Sequence, residues 1–293
     1  MSIHERLLRN QRLRNLVPPR AKAAFAENRV RLRHVAHRSE VRNIYHCCVH
    51  KTGSQWIRKV YADPAIYRAT GLRTYAYGPR QDDGDRPRSY AEVSFRRPFP
   101  ARRIVSPLYI PYERFVELVK PEPWRAFFVI RDPRDIVVSW YFSSVSSHPT
   151  NSSRGLQRTR DHLATLDEEE GMIDSIHRLG AYGLFGALGS WVAADMPQVM
   201  LVRYEDLIGD DGEQWWERLL EHCDVSLSRP ERQRLLERYS FRALSGRQPG
   251  QEDTGSKLRK GVAGDWRNHF TPAVRSAFAD ETSDLVARLG YPE

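Results

Sequence analysis

Apolar residues gather along this chain in short runs that end in charged turns, and most runs lead into a stretch with helical spacing. The first is Tyr45-His-Cys-Cys-Val49, followed by His50-Lys51-Thr52-Gly53-Ser54-Gln55-Trp56-Ile57. The second, Ala126–Ile130, ends in Arg131-Asp132-Pro133-Arg134-Asp135 and continues with apolar positions to Tyr141. The third, Val199–Arg203, runs into Tyr204-Glu205-Asp206-Leu207, and Ile104-Val105 reads as a short strand ending at Ser106-Pro107. Runs of this kind predict buried parallel strands, with helices covering both faces of the sheet. Pro133 suits the first turn of a helix and Asp132 its N-cap. Further helices are expected over Ala181–Ala194, with Trp191 in the core, and over Gln214–His222, Glu231–Tyr239 and Pro272–Leu289. Trp215-Trp216 reads as packing. Residues 63–100 read as an irregular insertion between the first and second strands, and 143–172 as a polar, mobile cap whose Asp167–Glu170 run is a solvated helix start. No internal repeat is visible. The fold expected is a single α/β domain, a central parallel sheet flanked by helices, with a P-loop-like turn after the first strand.

That first turn is suited to anions. Amides at a helix start point outward and the helix dipole favours negative charge. Lys51 adds a point charge, Gly53 allows close backbone approach, and Thr52 and Ser54 add hydroxyls. No G-x-x-x-x-G-K-[ST] pattern occurs, so ATP is not held in the usual way. The second turn places Arg131 at a strand's carboxyl end and Ser139 two helical turns further on. Ligands of open α/β sheets bind outside those ends, so two such turns suggest two phosphate-like groups on one ligand.

With Lys257-Leu-Arg259-Lys260-Gly261-Val-Ala-Gly264-Asp265-Trp266 near the carboxyl end, four motifs in order resemble the 3′-phosphoadenosine-5′-phosphosulfate (PAPS)-dependent sulfotransferases, closest to the soluble, cytosolic type. The resemblance spans residues 45 to 271. It implies that Lys51-Thr52-Gly53-Ser54-Gln55-Trp56 holds the 5′-phosphosulfate and that Arg131 and Ser139 hold the 3′-phosphate. Tyr204 and the Ser240-Phe241 pair would contact adenine, and Arg259, Lys260 and Gly261 would close on the 3′-phosphate. Lys51 would stabilise charge on the leaving oxygen; Trp56 either faces adenine or packs against the strand. The implied cofactor is PAPS, yielding 3′,5′-adenosine bisphosphate (PAP), with no metal and a small-molecule hydroxyl or amine acceptor.

The chain departs from the family where its base should be. Cytosolic members carry a catalytic histidine about 22 residues before the 3′-phosphate arginine; here the stretch is Arg103-Ile-Val-Ser106-Pro107-Leu-Tyr109-Ile-Pro111. Ser106 and Tyr109 are poor bases near neutral pH. His50 replaces a pocket-lining proline and is either the base or a pocket wall. His148 in the cap is a weaker candidate, and Glu92 and Glu113 remain open. The family's dimerisation element is degraded in Arg267–Ser276, which makes a dimer of that type doubtful.

Composition narrows the alternatives. The formal charge is +9, but residues 1–42 hold ten Arg and one Lys against three Glu. The excess is therefore a basic arm, and 43–293 is the sulfotransferase-like domain. The arm has helical periodicity through Arg38, broken at Pro18-Pro19. It reads as a helix packed on the domain, a contact for acidic lipid or an acidic partner, or disorder. A nucleic-acid-binding face over the whole fold is excluded. No apolar stretch spans a membrane and no signal peptide is visible, and Cys47, Cys48 and Cys223 are too few for a disulfide framework, so a cytoplasmic home is expected. Three of the six lysines, Lys51, Lys257 and Lys260, fall in the two basic loops. The alternatives are a pseudoenzyme that binds PAPS or PAP but has lost its base, a nucleotide kinase, or a nucleic-acid binder led by the basic arm.

Overall fold

The computed structural model describes residues 34–75, 89–95, 97–147 and 154–292. Five strands, β1 (Asn43–Cys48), β2 (Arg73–Tyr75), β3 (Arg103–Tyr109), β4 (Trp124–Ile130) and β5 (Val199–Arg203), form one parallel sheet in the order β2-β3-β1-β4-β5. Helices α1 (Ser54–Tyr61) and α2 (Pro64–Thr70) follow β1, α3 (Tyr112–Glu117) follows β3, and α4 (Pro133–Phe142) follows β4. Between α4 and β5 lie α5 (Arg154–Leu163), α6 (Glu168–Ala181) and α7 (Leu184–Ser190). After β5 come α8 (Tyr204–Ile208), α9 (Gly212–His222), α10 (Arg229–Arg238), α11 (Phe241–Ser245), α12 (Pro272–Thr282) and α13 (Leu285–Arg288).

Both faces of the sheet are covered, so its central strands are largely apolar and β1 is buried along its whole length. Alternate residues of β4 feed two separate cores. Phe127 and Val129 join Ile57, Val60, Ile66 and Trp216, whereas Ala126, Phe128 and Ile130 join Ile136, Ile176, Leu188 and Trp191. Phe128 stacks on Trp191 at 4.4 Å, and the Trp191 indole donates to the Ile110 carbonyl at 2.9 Å. Each such fully buried side chain contributes about 1.5–3 kcal/mol. From β1 the chain moves towards β2 and β3; from β4 it moves towards β5. The crevice between the carboxyl ends of β1 and β4 is thus the topological switch point, where ligands of this architecture bind.

Several expectations are corrected. The short strand at Ile104-Val105 does not stop at Ser106-Pro107 but runs on to Tyr109 as interior strand β3. Pro107 lacks a ladder N–H, and the register jumps there, from Tyr45 opposite Val105 to Cys47 opposite Leu108, which absorbs it. Among the described residues of 63–100 the chain is not irregular throughout: α2, capped by the Asp63 carboxylate on the Ala65 amide, edge strand β2 and a 3-10 turn at Tyr90–Glu92 lie there. The cap at 143–172 contains a π-type turn at Ser143–Ser147, α5 and the start of α6, where Asp167 and Glu170 form a capping box. The helix expected over Ala181–Ala194 is divided at Gly183, which adopts φ 75°, and the one over Pro272–Leu289 breaks at Ser283, with φ 50°. Of the basic arm, residues 1–33 lie outside the described residues. Residues 34–42 are not helical. They are stitched to the body by Ala36 and His37 amides on the Arg68 carbonyl and by Arg102 on the Ser39 and Val41 carbonyls.

The carboxyl end returns beneath the switch point. Arg134, in the first turn of α4, donates to the Pro292 carbonyl at 2.6 Å. Arg203 donates to the Leu289 and Gly290 carbonyls, and the Tyr291 hydroxyl to Glu205 at 2.7 Å. Glu205 in turn accepts from the Asp132 amide at 3.0 Å. Among the described residues, no helix is long and apolar enough to cross a membrane.

Candidate active site

The turn between β1 and α1 is held by its own side chains. Lys51 and Gly53 adopt φ of 70° and 77°. At Gly53 a Cβ would stand 2.9 Å from the Tyr204 ring, so the glycine admits that ring as well as the turn. Thr52, expected to offer its hydroxyl outward, is fully buried and donates to the Val49 carbonyl at 2.9 Å; its hydroxyl is structural. The Trp56 and Ile57 amides bond to the Gly53 carbonyl, and those of Ser54 and Gln55 lead the helix without an intrahelical partner. The Ser54 hydroxyl lies 2.8 Å from that of Tyr109, and Gln55 reaches the same hydroxyl at 3.3 Å. Trp56 is partly buried: its indole donates to the Tyr239 carbonyl at 2.8 Å, and its ring meets Trp216 and Tyr204 edge-on.

Arg131 joins this turn to the second one. Its guanidinium donates to the Lys51 carbonyl at 2.9 Å, lies 4.7 Å over the Tyr204 ring and stands 3.9 Å from Asp135. Its Nε is buried and has no partner among the described residues. Ser139, two turns along α4, is partly buried. Burial, with Arg131, Lys257 and Arg259 close by, lowers the Lys51 ammonium to about 7.

The carboxyl-terminal loop closes the same region. Arg259 ion-pairs with Glu252 and Asp265, and Lys260 with Asp265 at 2.5 Å. Asn268 also donates to Asp265, which burial pushes up but its hydrogen bonds hold well below the carboxylate range. His269 bridges Asp265 and Glu168 of α6 and is raised by those contacts, with Asp265 the larger cause. Gly261, at φ 69°, packs so closely on Phe241 that a Cβ would come within 2.3 Å of the ring, and Ser240 caps α11. Asp135 accepts from the Gly264 and Trp266 amides at 2.7 and 2.9 Å, clasping the loop to α4.

On the other side of Lys51, His50 sits among four aromatic rings. It stacks flat on Tyr109 at 4.2 Å and meets Tyr90, Tyr182 and Trp140 edge-on at 5.7 to 6.1 Å. The Tyr90 hydroxyl lies 2.9 Å from the His50 amide and 2.7 Å from its Nδ1. Tyr109, 22 residues before Arg131, is raised to about 12 by burial and is no base. Ser106 is buried against His46 at 2.8 Å. Glu92 and Glu113 are exposed, and His148 lies outside the described residues. Sequence reasoning did not find Asp135, Asp265, Tyr90, Trp140 or Tyr182. A Gly-Asp-Trp flank marked Asp265, but nothing in the pattern marked Tyr90.

The model of the sulfotransferase domain matches residues 36–290. The chain belongs to the sulfotransferase domain family. Guinea-pig (Cavia porcellus) 3-alpha-hydroxysteroid sulfotransferase is 26% identical over 195 residues, 63% of each chain. Cytosolic sulfotransferase 17 of Arabidopsis thaliana is 27% identical over 57% of this chain and 50% of its own length. The matched region thus spans less than two thirds of these relatives. Mouse sulfotransferase SULT7A1 complexed with PAP superposes with a TM-score of 0.55 at 17% identity, over 86% of this chain and 87% of the other. Retinol dehydratase in complex with androsterone and the inactive cofactor PAP gives 0.52 at 17%, over 83% and 80%. These likenesses establish the sulfotransferase fold.

Proposed function

We propose that this sulfotransferase-family protein moves a sulfuryl group from PAPS to a hydroxyl or amine of a small-molecule acceptor, in the cytoplasm. The observation that carries the reading is the convergence of Lys51, Arg131 and Arg259 on one crevice at the switch point, with Arg131 bonded to the Lys51 carbonyl. The donor set fits a nucleotide with phosphates at both ends. Arg131 has a buried Nε to offer, the Ser54 and Gln55 amides lead a helix, and burial, with a cationic cluster beside it, depresses the Lys51 ammonium. Arg131, Ser139, Arg259 and Lys260 would hold the 3′-phosphate, and Lys51, Gly53, Ser54, Gln55 and the Thr52 amide the 5′ end. Tyr204, Ser240, Phe241 and the Trp56 edge would border adenine.

When bound, PAPS supplies an activated sulfuryl group whose leaving group is a phosphate. The work left to the protein is positioning and placing positive charge where negative charge grows. Lys51 supplies that charge, held in place by its strained turn; Arg131 fixes the far end. His50, beside Lys51, lines the acceptor side and is the candidate for acceptor-side proton chemistry. Among the described residues no group of His, Cys, Asp and Glu is arranged to hold a metal.

One observation favours a second reading: the stretch Arg103–Pro111, where cytosolic members carry their base, holds no histidine, as a nucleotide-binding pseudoenzyme would allow. Calorimetric titration with PAP beside ATP and AMP, without metal, tests the site. Selective PAP binding lost in Arg131→Ala is expected, and equal ATP binding refutes it. PAP binding without turnover on a broad acceptor panel would favour the pseudoenzyme.

A further inference from the structure

The hydroxyl of Tyr90 touches His50 twice, and a phenol oxygen has one in-plane proton and one in-plane lone pair to give. The His50 backbone amide, which can only donate, takes the lone pair at 2.9 Å. The Tyr90 proton then has His50 Nδ1, at 2.7 Å, as its acceptor. Tyr90 is 2% exposed, and among the described residues its hydroxyl has no other hydrogen-bond partner. A buried hydroxyl proton left without an acceptor is costly. The His50 ring is meanwhile held flat against Tyr109, 2° from parallel, which fixes the plane in which its nitrogens lie.

Resting on the sulfotransferase reading, we propose that Tyr90 is a positioning residue that donates to His50 Nδ1, so that neutral His50 carries its proton on Nε2 and serves the acceptor side as a hydrogen-bond donor instead of a general base. A neutral imidazole already protonated at Nε2 has no lone pair left in its plane, because Tyr90 occupies the one on Nδ1. The acceptor's proton then leaves to water. Its oxygen gains the bond to sulfur, while the departing phosphate oxygen keeps the electron pair of the bond that breaks. A loose transition state tolerates this order, since little nucleophilic push is needed early. Tyr90 sits where the sequence offered no signal, 40 residues from its partner, and the departure of the base from its usual strand end becomes intelligible: no base is rebuilt there.

The test is nitrogen-15 NMR of the histidine rings in the full-length protein at pH 8, with the His50 signals assigned by their loss in His50→Gln. The wild type is expected to show a protonated Nε2 and a bare, hydrogen-bonded Nδ1. Tyr90→Phe keeps the ring but removes the donor, and the Nδ1-protonated form should rise roughly five- to tenfold, the worth of one hydrogen bond. A protonated Nδ1 in the wild type, or a tautomer unchanged by Tyr90→Phe, overturns the proposal. Turnover gives a second arm: His50→Gln, which keeps an N–H near Nε2, should be about tenfold more active than His50→Ala, whereas a general base would make both lose the full factor of about 100 or more. The NMR result does not depend on turnover, so failure of the sulfotransferase reading, seen as absent PAP binding, is distinguishable from failure of this one.

Discussion

Lys51 is expected to take up a proton when a bisphosphate binds. Its ammonium is lowered from 10.5 to about 7, first by burial and then by Arg131, Lys257 and Arg259. At pH 8 a group of that pKa is about one-tenth protonated, and a neighbouring dianion favours its charged form. Restoring it towards its ordinary value requires about 0.9 proton per site at pH 8, against about 0.1 at pH 6. Phosphate's second ionisation lies near pH 6, so the ligand itself contributes little at pH 8. Affinity should therefore fall as pH rises above 7, approaching tenfold per unit. In the free protein the same shift opposes folding fully below pH 7 and is relieved as pH climbs towards 10.5. Titration calorimetry with PAP at pH 8, in buffers of different ionisation enthalpy, reads the uptake directly. Uptake near zero in the wild type, or equal uptake in Lys51→Met, would refute the reasoning.

Lys51→Ala should lower kcat by a factor of about 100 to 1,000, the usual loss of one charge-stabilising donor, with PAP binding still measurable by calorimetry. Arg131→Ala should weaken PAP about 10- to 100-fold, as one charged hydrogen bond is worth about 1.5–3 kcal/mol. Arg131→Lys should recover little of this in the same titration, because a point charge neither forks nor lies flat on Tyr204. Gly53→Ala forces a methyl against Tyr204 at φ 77° and should cost about 1–3 kcal/mol in denaturant unfolding. The contribution of Asp265 should be complete above pH 3.8 and lost as pH falls below it, since its pKa is lower folded than unfolded. Asp265→Asn should flatten that acid limb of a thermal-melting profile.

What the sequence disclosed was whatever local physics encodes in neighbouring residues. The strands β1, β4 and β5, their charged ends and the Asp132-Pro133 start of α4 are each written in a dozen contiguous positions. Lys51 and Arg131 followed from these, and the two meet in space at the Lys51 carbonyl. What stayed hidden was decided at a distance. Pro107 argued against a continuing strand, and only the register jump opposite β1 makes room for it. Thr52 reads in sequence as a ligand donor, but hydroxyls that close turns look the same there. The pairing of Asp135 with Gly264 and Trp266 joins positions about 130 residues apart, and that of Tyr90 with His50 crosses 40; no periodicity announces either.

The two ends of the nucleotide crevice are also separated in time during synthesis. Lys51 and Arg131 leave the ribosome early, with a sheet able to gather around them. The groups that clasp the neighbouring α4 turn come more than a hundred residues later: Gly264 and Trp266 on Asp135, and the Pro292 carbonyl on Arg134. Domains fold as units in the order they emerge, yet here residues far downstream are needed to clamp the first turn of α4. A nascent chain therefore carries its cationic crevice unclasped until residues 264–292 have emerged, and the nucleotide site is completed later than the sheet that positions it.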